Sequence, residues 1–211
     1  MVNFKNFFFD KELAGDGKHL GNLPEWDLKD LYSHTGSQEL KQDLTWLKKE
    51  CEIFANDFKG KLVNLSAKEF LACVKRKEKI SNVSGRLISF AGLRYYQSTT
   101  DGERSKFLSD IQEKITIYTS SLIFFNLEIN KLPNEQLDSL YSQNEELSRY
   151  KPVFDRIRAL QPHQLSDELE KFLHELGIVG DAWEKLFDET IAGLEFSIGD
   201  ETLNLESTLN L

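Results

Sequence analysis

The pentapeptide His174-Glu175-Leu176-Gly177-Ile178 comes closest to a pattern that could carry out metal-dependent hydrolysis. A zinc-hydrolase helix needs two histidines one turn apart on one face, with a glutamate beside them as general base. In this chain Ile178 stands where the second histidine must be, and an isoleucine side chain cannot bind a metal. No other paired spacing occurs among the four histidines, which are His19, His34, His163 and His174. We therefore expect no catalytic and no metal-binding residue in this chain.

Other catalytic patterns are missing as well. Neither a GxSxG nucleophile motif nor a phosphate-binding loop nor a dinucleotide fingerprint occurs in the sequence. Cys51 and Cys73 each lie on an apolar helical stripe, where burial would leave the thiols unreactive. With 35 acidic residues, some carboxylates pair by chance, so such pairs do not indicate acid–base catalysis. An independent hydrolase with a site assembled in space therefore has no motif behind it.

Composition limits the class of partner and the compartment. The net charge of −9 argues against nucleic acid, because a phosphate-binding surface needs clustered Lys and Arg. No run approaches the roughly 18 apolar residues of a membrane span, so we expect no membrane partner. The two cysteines form neither a CxxC pair nor a disulfide framework, which favours a reducing, cytoplasmic location.

The elements that would position any site are predicted to be mainly α-helical, an antiparallel bundle with long central helices. Apolar residues recur at spacings of three and four along most of the chain. The pattern predicts a helix from Ser37 to Gly60, a long helix behind the Ser66–Glu69 capping box, and an antiparallel partner capped by Asp101. The apolar stripe of this third helix continues to Lys131.

Shorter helices are predicted for the next part of the chain. One starts at Asn134, and a second lies between Pro152 and Pro162 with Phe154, Ile157 and Leu160 facing inward. A third runs from Ser166 to a stop at Gly177, and a fourth starts at Asp181. The i, i+4 pair Trp183 and Phe187 is interpreted as core packing. Gly85 and Gly92, inside the long helix, predict close packing of a neighbouring backbone, or a kink.

A short β-hairpin is predicted near the C-terminus. Residues 194–198 and 202–205 alternate between apolar and polar side chains on either side of a Gly199-Asp200 turn. We therefore expect a flexible arm over 1–21, a helical body over 22–193, and the hairpin within 194–211.

The segment Leu23–Tyr32 reads as the start of a helix, with Pro24 before it, Asp27 as cap and Leu28, Leu31 and Tyr32 on one face. It also resembles the opening of the oligoendopeptidase F family of zinc metallopeptidases, relatives of thimet oligopeptidase. Further stretches resemble the N-terminal region of that family in the same order, among them residues 60–62, 85–91, 121–128, 149–151, 158–166 and 182–189.

The resemblance implies that residues 22–193 are a non-catalytic N-terminal lobe that closes over a deep cleft. It also implies that residues 194–211 form the hairpin and the start of the connection to an absent catalytic domain. In the parent enzyme a C-terminal catalytic domain of the same polypeptide would hold zinc through an HExxH motif and cleave short peptides. No such residue exists here to carry over, so no cofactor is expected in this chain. Four residues are candidates for lining the cleft: Arg94, Tyr95, Tyr96 and His163. The alternative is a free-standing helical module that binds another protein through an exposed apolar groove.

Overall fold

The computed structural model describes residues 26–211, so the predicted arm over 1–21 lies outside the described residues. The predicted fold class is confirmed, with long helices and one antiparallel hairpin near the C-terminus. The helices are α1 Gln38–Phe58, α2 Ala67–Tyr96, α3 Gly102–Thr119, α4 Phe124–Lys131, α5 Asn134–Gln143, α6 Glu145–Ser148, α7 Lys151–Ala159, α8 Asp167–Ala192 and α9 Leu205–Leu209. The strands are β1 Glu195–Ile198 and β2 Glu201–Asn204, joined at Gly199, where φ is +62°.

Side-chain caps begin the long helices where the sequence predicts. The Ser37 hydroxyl accepts a hydrogen bond from the Leu40 amide at the start of α1. Ser66 and Glu69 form the predicted capping box of α2, and Asp101 accepts from two amides of α3. Each cap gives orphan backbone amides of a helix start a partner, so the helix boundaries follow from local chemistry.

The core lies where α1, α2, α3 and α4 meet. Its fully buried side chains come from several elements and include Leu47 and Phe54 of α1, Phe70, Leu87 and Phe90 of α2, Ile111 of α3 and Ile129 of α4. Phe54 packs against Phe124 and Phe125, with ring centroids 6.0 and 6.1 Å apart. No helix within residues 26–211 combines the length and apolar character that crossing a bilayer requires.

The expected helix at Leu23–Tyr32 is corrected to a single turn in the described part. The amides of Leu31 and Tyr32 both bond to the Leu28 carbonyl, and no helix begins until α1 at Gln38. Tyr32 instead anchors the segment: its hydroxyl donates to Asp43 Oδ2 at 2.6 Å and accepts from Arg86 Nε at 3.0 Å. A specific polar contact, rather than helix formation, thus fixes residues 26–33 on the bundle.

Two other predictions about the helices are wrong. The single helix expected from the apolar stripe up to Lys131 is interrupted by a 3-10 turn at Ser120–Leu122, which separates α3 from α4. Leu160, predicted to face inward, is exposed just after the end of α7 at Ala159. A Cβ added at Gly85 would meet nothing within 4 Å, so of the two alternatives for this glycine close backbone packing is not observed, and a kink stays a prediction.

The largest correction concerns Gly177, which does not end a helix. The predicted helices before Gly177 and after Asp181 are one 26-residue helix, α8, which continues through Gly177 and Gly180. A helical glycine costs only about 1 kcal/mol relative to alanine, so two glycines do not by themselves end a helix whose other contacts hold it.

Truncation of Phe54 tests the position of the core. We expect Phe54→Ala to lower the free energy of unfolding by about 3–5 kcal/mol, because the ring is fully buried among other aromatic rings. Urea denaturation followed by circular dichroism measures the change. The adjacent Ile53 is exposed, so Ile53→Ala should stay within about 0.5 kcal/mol of the unsubstituted chain. Equal losses in the two variants would contradict this core.

The burial of the two cysteine thiols can be tested by their reactivity at alkaline pH. Burial raises the pKa of Cys51 to about 11 and that of Cys73 to about 12. Because the folded state favours the protonated thiols, this contribution to stability is full below the unfolded pKa of about 8.5 and is lost as pH rises through the folded values. We expect no reaction with a thiol reagent in the native chain at mildly alkaline pH, and two reacting thiols in denaturing urea. Rapid native labelling would contradict the burial.

Candidate functional site

Helix α8 contacts the rest of the bundle through polar side chains. We call these residues the polar face of α8; they are Asp167, His174, Asp181, Lys185 and Glu189. Their spacing is close to whole helical turns, so they lie on one side of the helix. That side runs along α3 and meets the end of α4 at Lys131.

The contacts of the polar face are spread along the whole helix. Near its C-terminal end, Lys185 Nζ donates to Ser109 Oγ at 2.7 Å. In its middle, His174 Nε2 lies 3.3 Å from Thr119 Oγ1. At its start, Asp167 accepts from Lys131 Nζ at 2.8 Å. Helix α8 is therefore held on the bundle by hydrogen bonds and ion pairs, and it contains no buried residue.

The opposite side of α8 is apolar and exposed. We call it the apolar face; it consists of Leu169, Phe172, Leu173, Leu176, Val179, Trp183, Leu186 and Phe187. Trp183 is 69% and Phe187 64% exposed, so the prediction that this pair packs in the core is wrong. The i, i+4 spacing does place the two rings on one face, but that face points away from the bundle.

The sequence contains a second pattern that bears on this exposure, in addition to the apolar one. Polar residues at 174, 181 and 185 repeat with the helical period just as the apolar ones do. An amphipathic pattern tells which side of a helix is apolar, but it does not tell which side the neighbouring helix occupies. Only the partners on α3, among them Ser105, Ser109 and Thr119, decide that the polar face turns inward.

The four residues predicted to line a cleft do not form one cluster. Arg94 and Tyr96 lie in the last turns of α2, and Tyr96 is 61% exposed. Tyr95 is 1% exposed, so its ring is closed off from solvent and its assignment as a cleft-lining residue is corrected. Adjacent helical residues point about 100° apart, which is why only one of the two tyrosines faces the core.

His163 lies far from the other three candidates. It is exposed in a 3-10 turn, Gln161–His163, just before the start of α8. Arg94 lies near the other end of α8. Its carbonyl accepts a hydrogen bond from Arg104 in the first turn of α3, and the next residue, Ser105, donates to Glu189 near the C-terminal end of α8. The stretch from Asp167 to Glu189 spans roughly 33 Å at a rise of about 1.5 Å per residue, so the two positions lie near opposite ends of α8. A role of these residues in lining a cleft stays a prediction.

The residues present do not fit a zinc centre. His174 points at Thr119 and at the Thr116 carbonyl of α3 rather than at carboxylates. Across residues 26–211, no group of three His, Cys, Asp or Glu side chains is arranged to hold a metal ion.

Comparison with known proteins relates this architecture to a peptidase family. A family profile described as Oligopeptidase F matches residues 128–196, which run from α4 to β1. Oligoendopeptidase F, plasmid, of Lactococcus lactis subsp. cremoris is 24% identical over 174 residues, or 81% of this chain. The crystal structure of oligoendopeptidase-F from Enterococcus faecium matches 80% of this chain with a TM-score of 0.68 and 22% identity, a likeness of fold.

The resemblance to the N-terminal region of the oligoendopeptidase F family is confirmed. An oligoendopeptidase F homolog of Lactococcus lactis subsp. lactis (strain IL1403) also matches, with 23% identity over 77% of this chain. The chain spans only 28% and 27% of the two Lactococcus relatives and 34% of the Enterococcus chain. Most of an oligoendopeptidase F therefore has no counterpart among these 211 residues.

The exposed apolar face predicts self-association of the isolated chain. Contiguous exposed apolar surface favours contact with a second copy, so sedimentation should show a mean mass that rises with concentration. The double variant Trp183→Gln, Phe187→Gln should weaken this association markedly while helix content stays unchanged. Glu184→Gln, an exposed polar position on the same helix, is the matched control and should behave like the unsubstituted chain. A strict monomer at high concentration would contradict the prediction.

Proposed function

We propose that this chain is the N-terminal, non-catalytic lobe of a cytoplasmic, zinc-dependent oligoendopeptidase that hydrolyses short peptides, and that it helps to cover the substrate cleft. The observation that carries the proposal is the apolar face of α8, because a helix with this much exposed apolar surface needs a partner. The resemblance to oligoendopeptidase F, together with the small share of those relatives that the chain spans, supports the rest of the same polypeptide as that partner.

The partner in this proposal is the C-terminal catalytic part of the same polypeptide. Burying one large apolar side chain stabilises a contact by about 1.5–3 kcal/mol, so covering the apolar face would fix the two parts firmly together. The position of α8 just before the hairpin β1–β2 suits this arrangement, since helix and hairpin would both lie at the junction. The lobe then comprises residues 22–193, and residues 194–211 begin the connection.

The role of the lobe is to select substrates by exclusion. A lobe that covers a deep cleft admits short, unfolded peptides and keeps folded proteins away from the zinc. In this division of work, the catalytic part supplies the metal and the general base. The lobe forms part of the wall of the cleft and limits access to it, and Arg94, Tyr96 and His163 remain its candidate contacts with peptide.

The isolated chain should be inactive, which separates this proposal from an independent hydrolase. We expect no cleavage of an internally quenched peptide, with or without added zinc, and no stoichiometric zinc binding in equilibrium dialysis. The gene should continue past Leu211 into a segment with HExxH on a predicted helix, and its complete product should cleave the same peptide. Zinc-dependent cleavage by the 211-residue chain alone would overturn the proposal.

The apolar face also suits the alternative, a free-standing helical module that docks on another protein. The two functions predict different gene sequences beyond Leu211. A stop codon there, with no separately encoded HExxH protein that binds the chain, would favour the module. A continuation into a catalytic segment that buries the apolar face would exclude it.

A further inference from the structure

A small basic pocket lies at one end of the bundle, away from the apolar face of α8. It has a volume of about 200 Å³ and lies between the segment after Trp26, the end of α2 and the start of α3. Three cationic side chains line it, Lys29, Arg94 and Arg104. In a chain with a net charge of −9, such a local excess of positive charge is unusual.

Arg94 is the cation in this pocket without a protein partner among residues 26–211. Its Nε atom is buried and no group accepts a hydrogen bond from it. By contrast, Arg104 bonds to Asp101 at 3.2 Å and to the Arg94 carbonyl at 3.3 Å. Because Nε is closed to solvent, an anion in the pocket would meet the outer nitrogens of the Arg94 guanidinium, whose positive charge no carboxylate within residues 26–211 neutralises.

The acidic residue in the pocket does not supply that acceptor. Asp27 is held locally, because its carboxylate accepts from the Lys29 backbone amide at 3.0 Å and from Lys29 Nζ at 3.3 Å. These bonds keep the Asp27 pKa below its usual range, so the carboxylate stays charged and committed to Lys29. Arg94 therefore keeps its charge available to a ligand.

The walls beside Arg94 are mainly polar, with an aromatic ring at the mouth. Trp26 is 58% exposed at the mouth, and Gln97 Nε2 donates to its carbonyl at 3.4 Å, which ties this segment to α2. Leu28 and the buried Phe90 also line the pocket. A guanidinium suits a planar carboxylate, because the guanidinium fork matches a carboxylate bidentately.

We propose that this pocket binds the carboxylate of a single amino-acid unit, with Arg94 as the anion-binding residue. Two sources share this chemistry, a free amino acid and the C-terminal residue of a short peptide. The small volume fits one such unit rather than a drug-sized molecule. The peptide source rests on the proposed function, whereas the carboxylate site itself does not.

Calorimetric titration of the full 211-residue chain tests the site with four probes. N-acetyl-phenylalanine carries the carboxylate, and N-acetyl-phenylalaninamide is its neutral match. Phenylalanine and the dipeptide alanyl-phenylalanine distinguish the two sources. We expect the acetylated acid to bind at least about tenfold more tightly than the amide, a difference of about 1.4 kcal/mol. The indole NMR signal of Trp26 should shift during this titration and not during that with the amide.

The variant Arg94→Gln should lose at least about tenfold in affinity for the acid and leave the weak binding of the amide unchanged. Its unfolding free energy should not fall, because Nε has no hydrogen bond to lose, so a folding defect is not expected to mask the result. Arg156→Gln, exposed on α7, is the matched control and should bind as the unsubstituted chain does. Equal affinity for acid and amide, or equal affinity in Arg94→Gln and the unsubstituted chain, would overturn the proposal.

The outcomes separate this site from the proposed function. Binding of the acid, lost in Arg94→Gln, confirms the site whether or not the gene continues into a catalytic segment. Tighter binding of the dipeptide than of phenylalanine assigns the site to peptide ends, and the reverse assigns it to free amino acids. Binding that appears only after residues 1–25 are removed would show that the chain's own segment fills the pocket, and would overturn the proposal.

Discussion

The attachment of α8 to α3 through polar side chains is the constraint on which the functional surface depends. Hydrogen bonds from Lys185 and Ser105, and the contact of His174 with Thr119, fix which side of the helix meets the bundle. Because each such bond contributes only about 0.5–1.5 kcal/mol net, several of them along the helix are needed to hold it. The consequence is that the apolar face must point outward, which gives the chain a surface suited to a large apolar partner.

The bundle that carries α8 follows from the sequence to a large extent. Caps at Ser37, Ser66 and Asp101 and the apolar period of the first three helices predict their boundaries closely. Cap and period are local properties, which is why a sequence shows them. The break between α3 and α4 was not predictable in the same way, since the apolar stripe runs across it and only tertiary packing imposes the 3-10 turn.

The candidate surfaces were less accessible from sequence because each depends on a pairing between distant residues. Gly177 and Asp181 look like the end and start of two helices, yet Asp181 bonds to Gln112 of α3 and the helix passes through both. The importance of Arg94 likewise lies in a partner that is missing, while Arg86, two turns earlier, is satisfied by Asp43 and Tyr32. Whether an arginine side chain finds a hydrogen-bond partner depends on the fold and cannot be recognised from a sequence motif.

The proposed lobe therefore has two distinct surfaces, a large apolar one along α8 and a small basic one near Arg94. The central claim is that the first of these is covered in the protein that the gene encodes. Hydroxyl-radical footprinting of Trp183 and Phe187 tests it directly, in the 211-residue chain and in the complete gene product. We predict heavy labelling of both rings in the isolated chain and strong protection in the complete product. Equal labelling of the two rings in both proteins would contradict the account.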